Sequence, residues 1–268
     1  MLVDVHAHFY HSASSRADWA ERNTSRLRAG ERIGITCHVA SILGSWGRNS
    51  PTYFPSPEDV TVGNDALLEL ARAHSSLVRG YACVNPNHTE HAVAEITRCV
   101  AHGMIGVKLA ASRRADDPLL DPICDAARSH RVPVLHHVWQ HRRGEWPGQE
   151  ASDAVELGAL AGRHRDVAFI LAHIGGGGDW VHSIHAVRAL SNVFVDLSGS
   201  GVDGGMLEAC LHAVGTERLL WGSDLTMDTG WAKLRYLEGL LPSDQQERIR
   251  WRNAAAIFPP GSVGGGAD

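Results

Sequence analysis

Short runs of β-branched and other apolar residues alternate along the chain with longer segments whose apolar residues recur at helical spacing. Apolar residues three and four positions apart predict amphipathic helices, whereas short apolar runs bounded by turn residues predict buried strands. The pattern predicts eight strands, at residues 2–6, 33–41, 77–84, 104–109, 132–137, 168–173, 193–197 and 218–222. It predicts helices that include residues 65–74, 91–102, 119–129 and 153–163.

Residues with capping preferences mark the expected ends of some of these helices. Asn64 or Asp65 is the expected N-cap of helix 65–74, because a short polar side chain can accept a hydrogen bond from a free amide of the first turn. Gly103 is expected to end helix 91–102, since glycine is favoured just beyond a helix C-terminus. Gly30 is expected to close the weakly patterned segment before the second strand.

Eight strands, each followed by a helix, match the element count of a (β/α)8 TIM barrel. A doubly wound open sheet is the competing fold, but it usually has fewer strands and a recognisable nucleotide-binding turn. We therefore expect a distorted barrel formed by a single domain over residues 1–258. The glycine- and proline-rich residues 259–268 are expected to form a flexible C-terminal tail.

Composition places the chain among soluble globular proteins, with 44% hydrophobic and 21% charged residues over 268 positions. A net charge of −5 argues against binding to nucleic acid or to an anionic membrane surface. No apolar run approaches the roughly 18 residues of a membrane span, and residues 1–6 lack a secretory pattern, so we expect a cytoplasmic protein. The five scattered cysteines predict reduced, mostly buried thiols.

Polar side chains recur where the predicted strands end. His6 and His8 lie two apart on the first strand, and His137 and His173 close the fifth and sixth, while Asp224 follows the eighth. The C-terminal ends of parallel barrel strands meet on one rim, which is where barrel enzymes place their sites. Imidazoles and a carboxylate that converge on one point are typical ligands of Zn²⁺, Mn²⁺ or Fe²⁺. The sequence therefore predicts a metal site on this rim.

The segments that carry these residues resemble the amidohydrolase superfamily. They are Val3-Asp4-Val5-His6-Ala7-His8-Phe9, Pro133-Val134-Leu135-His136-His137, Leu171-Ala172-His173-Ile174-Gly175-Gly176, Trp221-Gly222-Ser223-Asp224 and Arg252-Asn253-Ala254-Ala255-Ala256-Ile257-Phe258. The resemblance covers nearly the whole chain. More narrowly, the chain resembles the branch of metal-dependent TIM-barrel hydrolases that includes aminocarboxymuconate-semialdehyde decarboxylase and related decarboxylases.

The resemblance implies that His6, His8, His137 and Asp224 bind one divalent metal, with zinc expected first and manganese or iron as alternatives. His137 is chosen over His136 because the family's ligand stands four residues after the proline, here Pro133. Neighbouring side chains on a strand point to opposite faces, so regular geometry does not allow both to serve. The resemblance assigns His173 to contact with the metal-bound water or the substrate.

Lys108 raises the question of a second metal, because binuclear members of the superfamily carry a carboxylated bridging lysine on the fourth strand. In the decarboxylase-like branch a lysine occurs there without binding metal. We favour one metal, with Lys108 available to pair with a substrate carboxylate.

The expected reaction is hydrolysis, in which a metal-activated water attacks the carbonyl of an ester, lactone or amide. Asp224 is the candidate general base and His173 would stabilise the developing oxyanion. Arginines and aromatic residues in the loops after the strands suggest a small carboxylated substrate. The candidate substrate-binding residues are Arg48, Lys108, Arg113, Trp139 and Arg142. The alternative is that the arginines are solvated rim residues of an arginine-rich chain.

Two other functions stay open at this point. A metal-dependent nonoxidative decarboxylase of an aromatic or muconate-type acid would use the same ligands, although such enzymes generally carry longer insertions than a chain of 268 residues accommodates. A metal-free binding barrel, whose rim histidines only resemble ligands, is the second alternative. The expected partner is a small-molecule substrate, and a homodimer is possible because the loop over residues 45–57 can pack on a second subunit.

Overall fold

Eight parallel strands form one sheet in which each strand pairs with the next in chain order. The computed structural model describes residues 1–14, 16–43, 49–137, 152–175, 180–199, 201 and 204–264. The strands are β1 (Val3–His8), β2 (Cys37–Ser41), β3 (Val78–Val84), β4 (Gly106–Leu109), β5 (Val134–His136), β6 (Phe169–Leu171), β7 (Val193–Asp196) and β8 (Leu219–Leu220). All eight predicted strands are confirmed, with shorter bounds at most ends.

The residues that follow the last strand lie beside the first strand and nearly close the ring. Val5 N donates to Trp221 O at 3.0 Å, and Asp224 N donates to His6 O at 2.6 Å. Ala7 and Asp224 also pair as an isolated parallel bridge. These contacts place the turn after β8 directly beside the end of β1. The expected distorted (β/α)8 barrel, built as a single domain, is confirmed.

Helices follow the strands around the outside of this sheet. In the described residues they are α1 (Trp19–Ile33), α2 (Pro57–Ala73), α3 (Thr89–Ala101), α4 (Asp121–His130), α5 (Ala154–Arg163), α6 (Trp180–Val187), α7 (Met206–Val214), α8 (Asp228–Leu240), α9 (Ser243–Glu247) and α10 (Asn253–Ile257). No helix among them has the length and apolar character needed to cross a membrane.

The predicted N-cap of the second helix is wrong. Helix α2 begins eight residues earlier, at Pro57, and the side chain of Ser56 caps it by accepting a hydrogen bond from Asp59 N. Asn64 lies buried inside the helix, where its amide group donates to Cys83 O and accepts from Cys83 N, both at 3.0 Å. Its polar atoms therefore bind the backbone of β3 rather than a helix end. No local sequence pattern reveals this contact.

Gly30 does not close the segment before β2 as expected. Helix α1 continues to Ile33 and ends at Gly34, whose φ of 83° is the left-handed conformation that glycine adopts without steric cost. Gly30 instead makes room for a neighbour, since a Cβ there would lie 2.6 Å from Nε2 of His38. The extra helical turn is the reason that β2 begins at Cys37 rather than residue 33.

The five cysteines are free and buried in a largely apolar core, as expected. Burial raises the pKa of the Cys37 thiol to about 11, so that thiol stays protonated at neutral pH. At the C-terminal end, Val263 is buried and Arg79 Nε donates to Ser262 O at 2.9 Å. These contacts attach residues 262 and 263 to the barrel, while the proposed boundary at residue 258 stays a prediction.

Candidate metal centre

His6 and His8 end the first strand with both Nε2 atoms facing one point. The two Nε2 atoms lie 3.2 Å apart, and Oδ1 of Asp224 lies 3.2 Å from His8 Nε2 and 3.9 Å from His6 Nε2. The β8–β1 closure brings Asp224 there across more than 200 residues of sequence. His6 and His8 are almost completely buried, so these three atoms converge in a site largely closed to solvent.

The hydrogen-bond partners of the two rings define their tautomers. His8 Nδ1 lies 3.2 Å from the carbonyl oxygen of Ser41, which can only accept, so Nδ1 donates and Nε2 holds the lone pair. His6 Nδ1 lies 2.6 Å from Oδ2 of Asp196, a carboxylate that also accepts from Ser198 N and Oγ. Both Nε2 atoms and the Asp224 oxygen therefore point lone pairs at the same region, and a cation bound there would interact with all three.

The separations fit a metal ion. A tetrahedral ion with bonds of roughly 2.0–2.1 Å holds its ligand atoms about 3.3 Å apart. The two 3.2 Å separations at His8 Nε2 match that spacing. The donor set of imidazole nitrogens and a carboxylate suits Zn²⁺ and Mn²⁺.

Two more histidines complete the cluster. His173 Nε2 lies 3.4 Å from His137 Nδ1, and the ring of His173 stacks on that of His6 at 4.8 Å between centroids. Potential ligand atoms of His6, His137 and His173 all lie within 4.8 Å of one another, as do those of His6, His8 and Asp224. We call the five residues His6, His8, His137, His173 and Asp224 the rim cluster.

The adjacent His136 points away from the rim cluster. Its Nε2 lies 3.1 Å from Ser152 Oγ, and its buried Nδ1 has no hydrogen-bond partner among the described residues. The alternation of side chains along β5 separates the two rings. The structure therefore places His137, the histidine that the sequence favoured, in the rim cluster, and it places His136 outside the cluster.

Burial sets the charge state of the rim cluster. It lowers the pKa of His6, His8, His137 and His173 below the ordinary value of 6.5, so the four rings are neutral at pH 7. Neutral imidazole is the form that binds metal. Burial raises the pKa of the Asp224 carboxyl, but its interactions with His8, His173 and His6 hold that pKa well below its usual range.

Lys108 reaches the cluster from β4. Its Nζ lies 2.9 Å from Nε2 of His6, and the side chain is completely buried. Burial lowers the pKa of this amine to about 8, against the attraction of Asp224 and Asp196. The chain thus holds a weakly basic amine beside the proposed ligands, where it can donate a hydrogen bond to an incoming anion.

The remaining predicted substrate-binding residues are not brought to the cluster by any contact in the described ranges. Arg113 donates through Nε to Oδ2 of Asp117 at 2.7 Å, with Asn87 as a further partner, and no described hydrogen bond joins it to the histidines. Arg48, Trp139 and Arg142 lie outside the described residues.

Asp196 and Ser198 contact the candidate metal ligands, and sequence reasoning missed both. Asp196 ends β7, so the same rule that identified His173 and Asp224 at strand ends could have found it. Ser198 Oγ lies 3.0 Å from Nδ1 of both His6 and His173. Since this hydroxyl donates to Asp196, it accepts from His173 Nδ1, which leaves the Nε2 lone pair of His173 facing the site.

Two members of the rim cluster have strained backbones. His173 and Asp224 adopt φ values of 60° and 58°, a conformation that residues other than glycine rarely adopt. Such strain costs about 1–3 kcal/mol per residue and persists where the surroundings over-determine it, often at functional sites. The strain is consistent with selection for the direction of these side chains over local stability.

An apolar wall flanks the cluster on one side. The ring of Tyr53 stacks on His137, with centroids 5.3 Å apart and planes inclined by 23°. Tyr53 also packs on Leu43, Cys83 and Ala110. Leu43, Cys83 and Ala110 are buried, so Tyr53 is the partly exposed member of this wall.

A cavity of about 560 Å³ opens elsewhere, between α1 and α2 on the outside of the sheet. It is lined by Leu27, Ile35, Leu70 and His38 among others, and no residue of the rim cluster lines it. The candidate site is therefore identified by its converging donor atoms rather than by cavity size.

Comparison with known proteins shows what this chain is similar to. A family model described as Amidohydrolase matches residues 3–259. No curated protein matches the sequence.

Solved structures share the fold at low sequence identity. The 2,6-dihydroxybenzoate decarboxylase from Rhizobium is 19% identical with a TM-score of 0.73, covering 96% of this chain and 98% of that one. A dihydroxybenzoic acid decarboxylase from Polaromonas sp. JS666, with bound manganese and 2-nitroresorcinol, is 17% identical with a TM-score of 0.71 and 96% coverage of both chains. A zinc-bound amidohydrolase from Burkholderia multivorans is 17% identical, with a TM-score of 0.67, and covers 97% of this chain and 100% of that one.

Proposed function

The chain belongs to the amidohydrolase family, and from that premise we propose that it is a metal-dependent enzyme that removes the carboxyl group of a small hydroxylated aromatic acid as CO₂. The observation that carries the proposal is the rim cluster, in which lone pairs of neutral imidazoles converge beside Asp224. The shared fold of two aromatic-acid decarboxylases supports this reaction type.

This proposal reverses the order expected from the sequence, where hydrolysis came first. There, chain length counted against decarboxylation, since decarboxylases of this kind generally carry longer insertions. A decarboxylase aligns over 98% of its chain with 96% of this one, so length no longer argues against the reaction. Hydrolysis of an ester, lactone or amide stays the second candidate, supported by the family match and by the fold of a zinc-bound amidohydrolase.

His6, His8, His137 and Asp224 would hold the metal, with His173 beside them. Relatives of the same fold contain manganese in one case and zinc in another, and the mixed nitrogen and oxygen donors here suit both ions. When bound, the ion supplies positive charge that binds and polarises the oxygen atoms of an anionic substrate. The neutral state of the imidazoles favours this binding.

Decarboxylation needs a proton at the ring carbon that carries the carboxylate. That carbon gains a proton, its bond to the carboxylate breaks, the bonding electrons return to the ring and CO₂ leaves, with a net uptake of one proton. Asp224 is the proposed proton donor, since its side chain is 22% exposed while Asp196 is fully buried and bonded to His6. Because the pKa of this carboxyl lies well below its usual range, Asp224 rests as the carboxylate and must first take up the proton that it passes to the ring carbon.

Neighbouring groups orient the substrate in this proposal. The Lys108 amine donates a hydrogen bond to the substrate's carboxylate, and the Nε2 lone pair of His173 accepts one from a ring hydroxyl. Tyr53, which is partly exposed and lies against His137, provides an aromatic ring on which a planar substrate packs.

Substrate turnover tests the proposal. Protein stripped with a chelator and reloaded with Mn²⁺ or Zn²⁺ is incubated with ortho-hydroxyarenecarboxylates, and CO₂ and the arene product are measured. Aryl esters, lactones and amides form the second panel. We expect decarboxylation that disappears on metal removal and falls by at least about 100-fold in Asp224→Asn. Hydrolysis without decarboxylation would establish the second candidate, and a metal-loaded protein inactive on both panels would contradict the proposed function.

A further inference from the structure

Lys233 is a buried cation outside the rim cluster. It lies on α8, is completely buried, and donates through Nζ to Leu197 O at 3.1 Å, to Ser198 O at 3.5 Å and to Gly199 O. A buried ammonium is costly unless its protons are hydrogen-bonded, so these carbonyls compensate its loss of water. The contacts connect α8 with residues 197–199, the turn that follows β7.

The same turn contacts the rim cluster on its other side. Ser198 Oγ lies 3.0 Å from Nδ1 of both His6 and His173. The backbone of Gly199 packs on the His173 ring so closely that a Cβ there would lie 2.5 Å from Nδ1, and its φ of 51° also favours glycine. The turn therefore lies directly between the Lys233 ammonium and two imidazoles.

We infer that Lys233 is a positioning residue for the metal centre. Its ammonium holds residues 197–199 so that the Ser198 hydroxyl orients the rings of His6 and His173 and fixes which nitrogen of His173 carries the proton. The inference rests on the proposed function, because it concerns the proposed ligands. Removing a hydrogen-bond partner of a metal ligand typically weakens metal binding by about 10- to 100-fold, and Lys233 holds such a partner, Ser198.

Arg218 offers a matched control for a purely structural role. It also binds backbone carbonyls, with its guanidinium donating to Leu190 O and Arg188 O, both at 2.7 Å, and to Val187 O and Val193 O at longer distances. It lies before β8 and contacts the start of β7, whereas Lys233 contacts the turn after β7. Arg218→Met removes a partly buried cation that also binds backbone carbonyls, and no described hydrogen bond joins Arg218 to the histidines.

Metal affinity gives the first test. Chelator-treated wild type, Lys233→Met and Arg218→Met are titrated with Co²⁺, whose visible absorption reports coordination. We expect binding to be about 10- to 100-fold weaker in Lys233→Met and unchanged in Arg218→Met, although both variants melt at lower temperature. Lys233→Arg, which keeps the charge, should recover part of the affinity. Equal affinities in folded Lys233→Met and Arg218→Met would overturn the inference.

The imidazole nitrogens give a second test that needs no metal. Histidine side-chain ¹H–¹⁵N spectra of the metal-free protein should show altered ring signals for His6 and His173 in Lys233→Met but not in Arg218→Met. Unchanged ring signals in the folded variant would contradict the inference. Wild type that binds no Co²⁺ would instead contradict the proposed function, while these spectra still test Lys233. If Lys233→Met does not fold, the uncharged donor variant Lys233→Gln is compared in the same way.

Discussion

Three rings of the rim cluster form a hydrogen bond through Nδ1 with a residue outside the cluster, and this bond directs their Nε2 atoms toward the site. Ser41 O binds His8, Asp196 binds His6 and Ser198 binds His173, each through Nδ1. This shared pattern turns three lone pairs toward one region, and burial keeps the rings neutral, which preserves those lone pairs. At the scale of single residues, the direction of a hydrogen bond decides whether a histidine can bind a metal.

The paired histidines on β5 provide a sharp residue-scale prediction. His137→Asn should weaken Zn²⁺ or Mn²⁺ binding by at least about 10-fold, because it removes a ring that faces the rim cluster. His136→Asn changes the same chemistry on the opposite face and should bind metal as the wild type does. Metal content after gel filtration and competitive titration measure the difference. Loss of metal only in His136→Asn would reverse the assignment.

His136 also predicts a pH dependence of stability. Burial lowers its pKa to about 3 from 6.5, so between these pH values the unfolded chain binds a proton that the folded chain does not. The free energy of unfolding therefore falls as pH falls through this window, by about 1.4 kcal/mol per pH unit for each such histidine. The four rings of the rim cluster add to the fall.

Urea unfolding of metal-free protein between pH 6 and 4 measures this slope. His136→Asn should show a slope shallower than that of the wild type by about one proton, or about 1.4 kcal/mol per pH unit. Equal slopes would mean that His136 titrates alike in the folded and unfolded chains.

At the scale of elements, α1 supports the site although it carries none of its ligands. Arg26 NH2 donates to Asp4 Oδ2 at 3.2 Å and to Ser223 Oγ, and NH1 donates to Leu225 O at 3.3 Å. Ser223 and Leu225 are the two neighbours of Asp224 in the chain. The helix thus holds the strained turn after β8 from both sides, which fixes the direction of the Asp224 carboxylate.

Two arginines on α1 test this support. Arg26→Met should lower stability by about 3–5 kcal/mol, because it leaves the buried Asp4 carboxylate without its cation, and should reduce kcat through Asp224. Arg22→Met removes an exposed pair with Asp18 on the same helix and should change little. Urea unfolding and steady-state kinetics measure both effects. Similar losses in the two variants would show that α1 acts only through its own helical stability.

Element boundaries show where sequence patterns fail. Asn64 looks like a helix cap, but its amide binds the edge of β3, and Ser56 with Pro57 starts the helix instead. Gly30 looks like a stop, but it makes room for the His38 ring. In both cases a contact with a distant strand, which the local pattern does not contain, decides the role of the residue.

At the scale of the whole molecule, ring closure assembles the metal centre. The proposed ligands come from β1, the end of β5 and the turn after β8, so they converge only when that turn lies beside β1. A ligand that binds only the folded state stabilises it, by about 2.7 kcal/mol at a concentration 100 times its Kd. Metal binding should therefore be coupled to the stability of the entire barrel.

Metal removal tests this coupling. Chelation should lower the melting temperature by about 5–10 °C relative to protein with saturating Zn²⁺ or Mn²⁺. Asp224→Asn should melt at nearly the same temperature with and without metal, since it lacks a proposed ligand. Differential scanning calorimetry measures both shifts. A wild-type melting temperature that does not change when saturating metal is added would contradict a metal centre built across the barrel closure.

The sequence by itself determined the eight strands, their alternation with helices and the polar residues at their ends. Strand periodicity is local, and parallel strands of a barrel end on one rim, so the amino-acid pattern alone groups His6, His8, His173 and Asp224. The choice of His137 over His136 also followed from the sequence, through the family resemblance. It stays a prediction, with the His137 ring beside His173 and the His136 ring beside Ser152.

Only the tertiary structure decided which residues contact and orient the proposed ligands. Asp196 and Ser198 orient His6 and His173, Lys108 lies against His6, and Lys233 holds the turn at residue 198. These contacts join residues tens to nearly two hundred positions apart, and they depend on the stagger of the strands and on how closely α8 packs. Hydrophobic periodicity reports which face of an element is buried, but not which distant polar atom comes within hydrogen-bond distance of it.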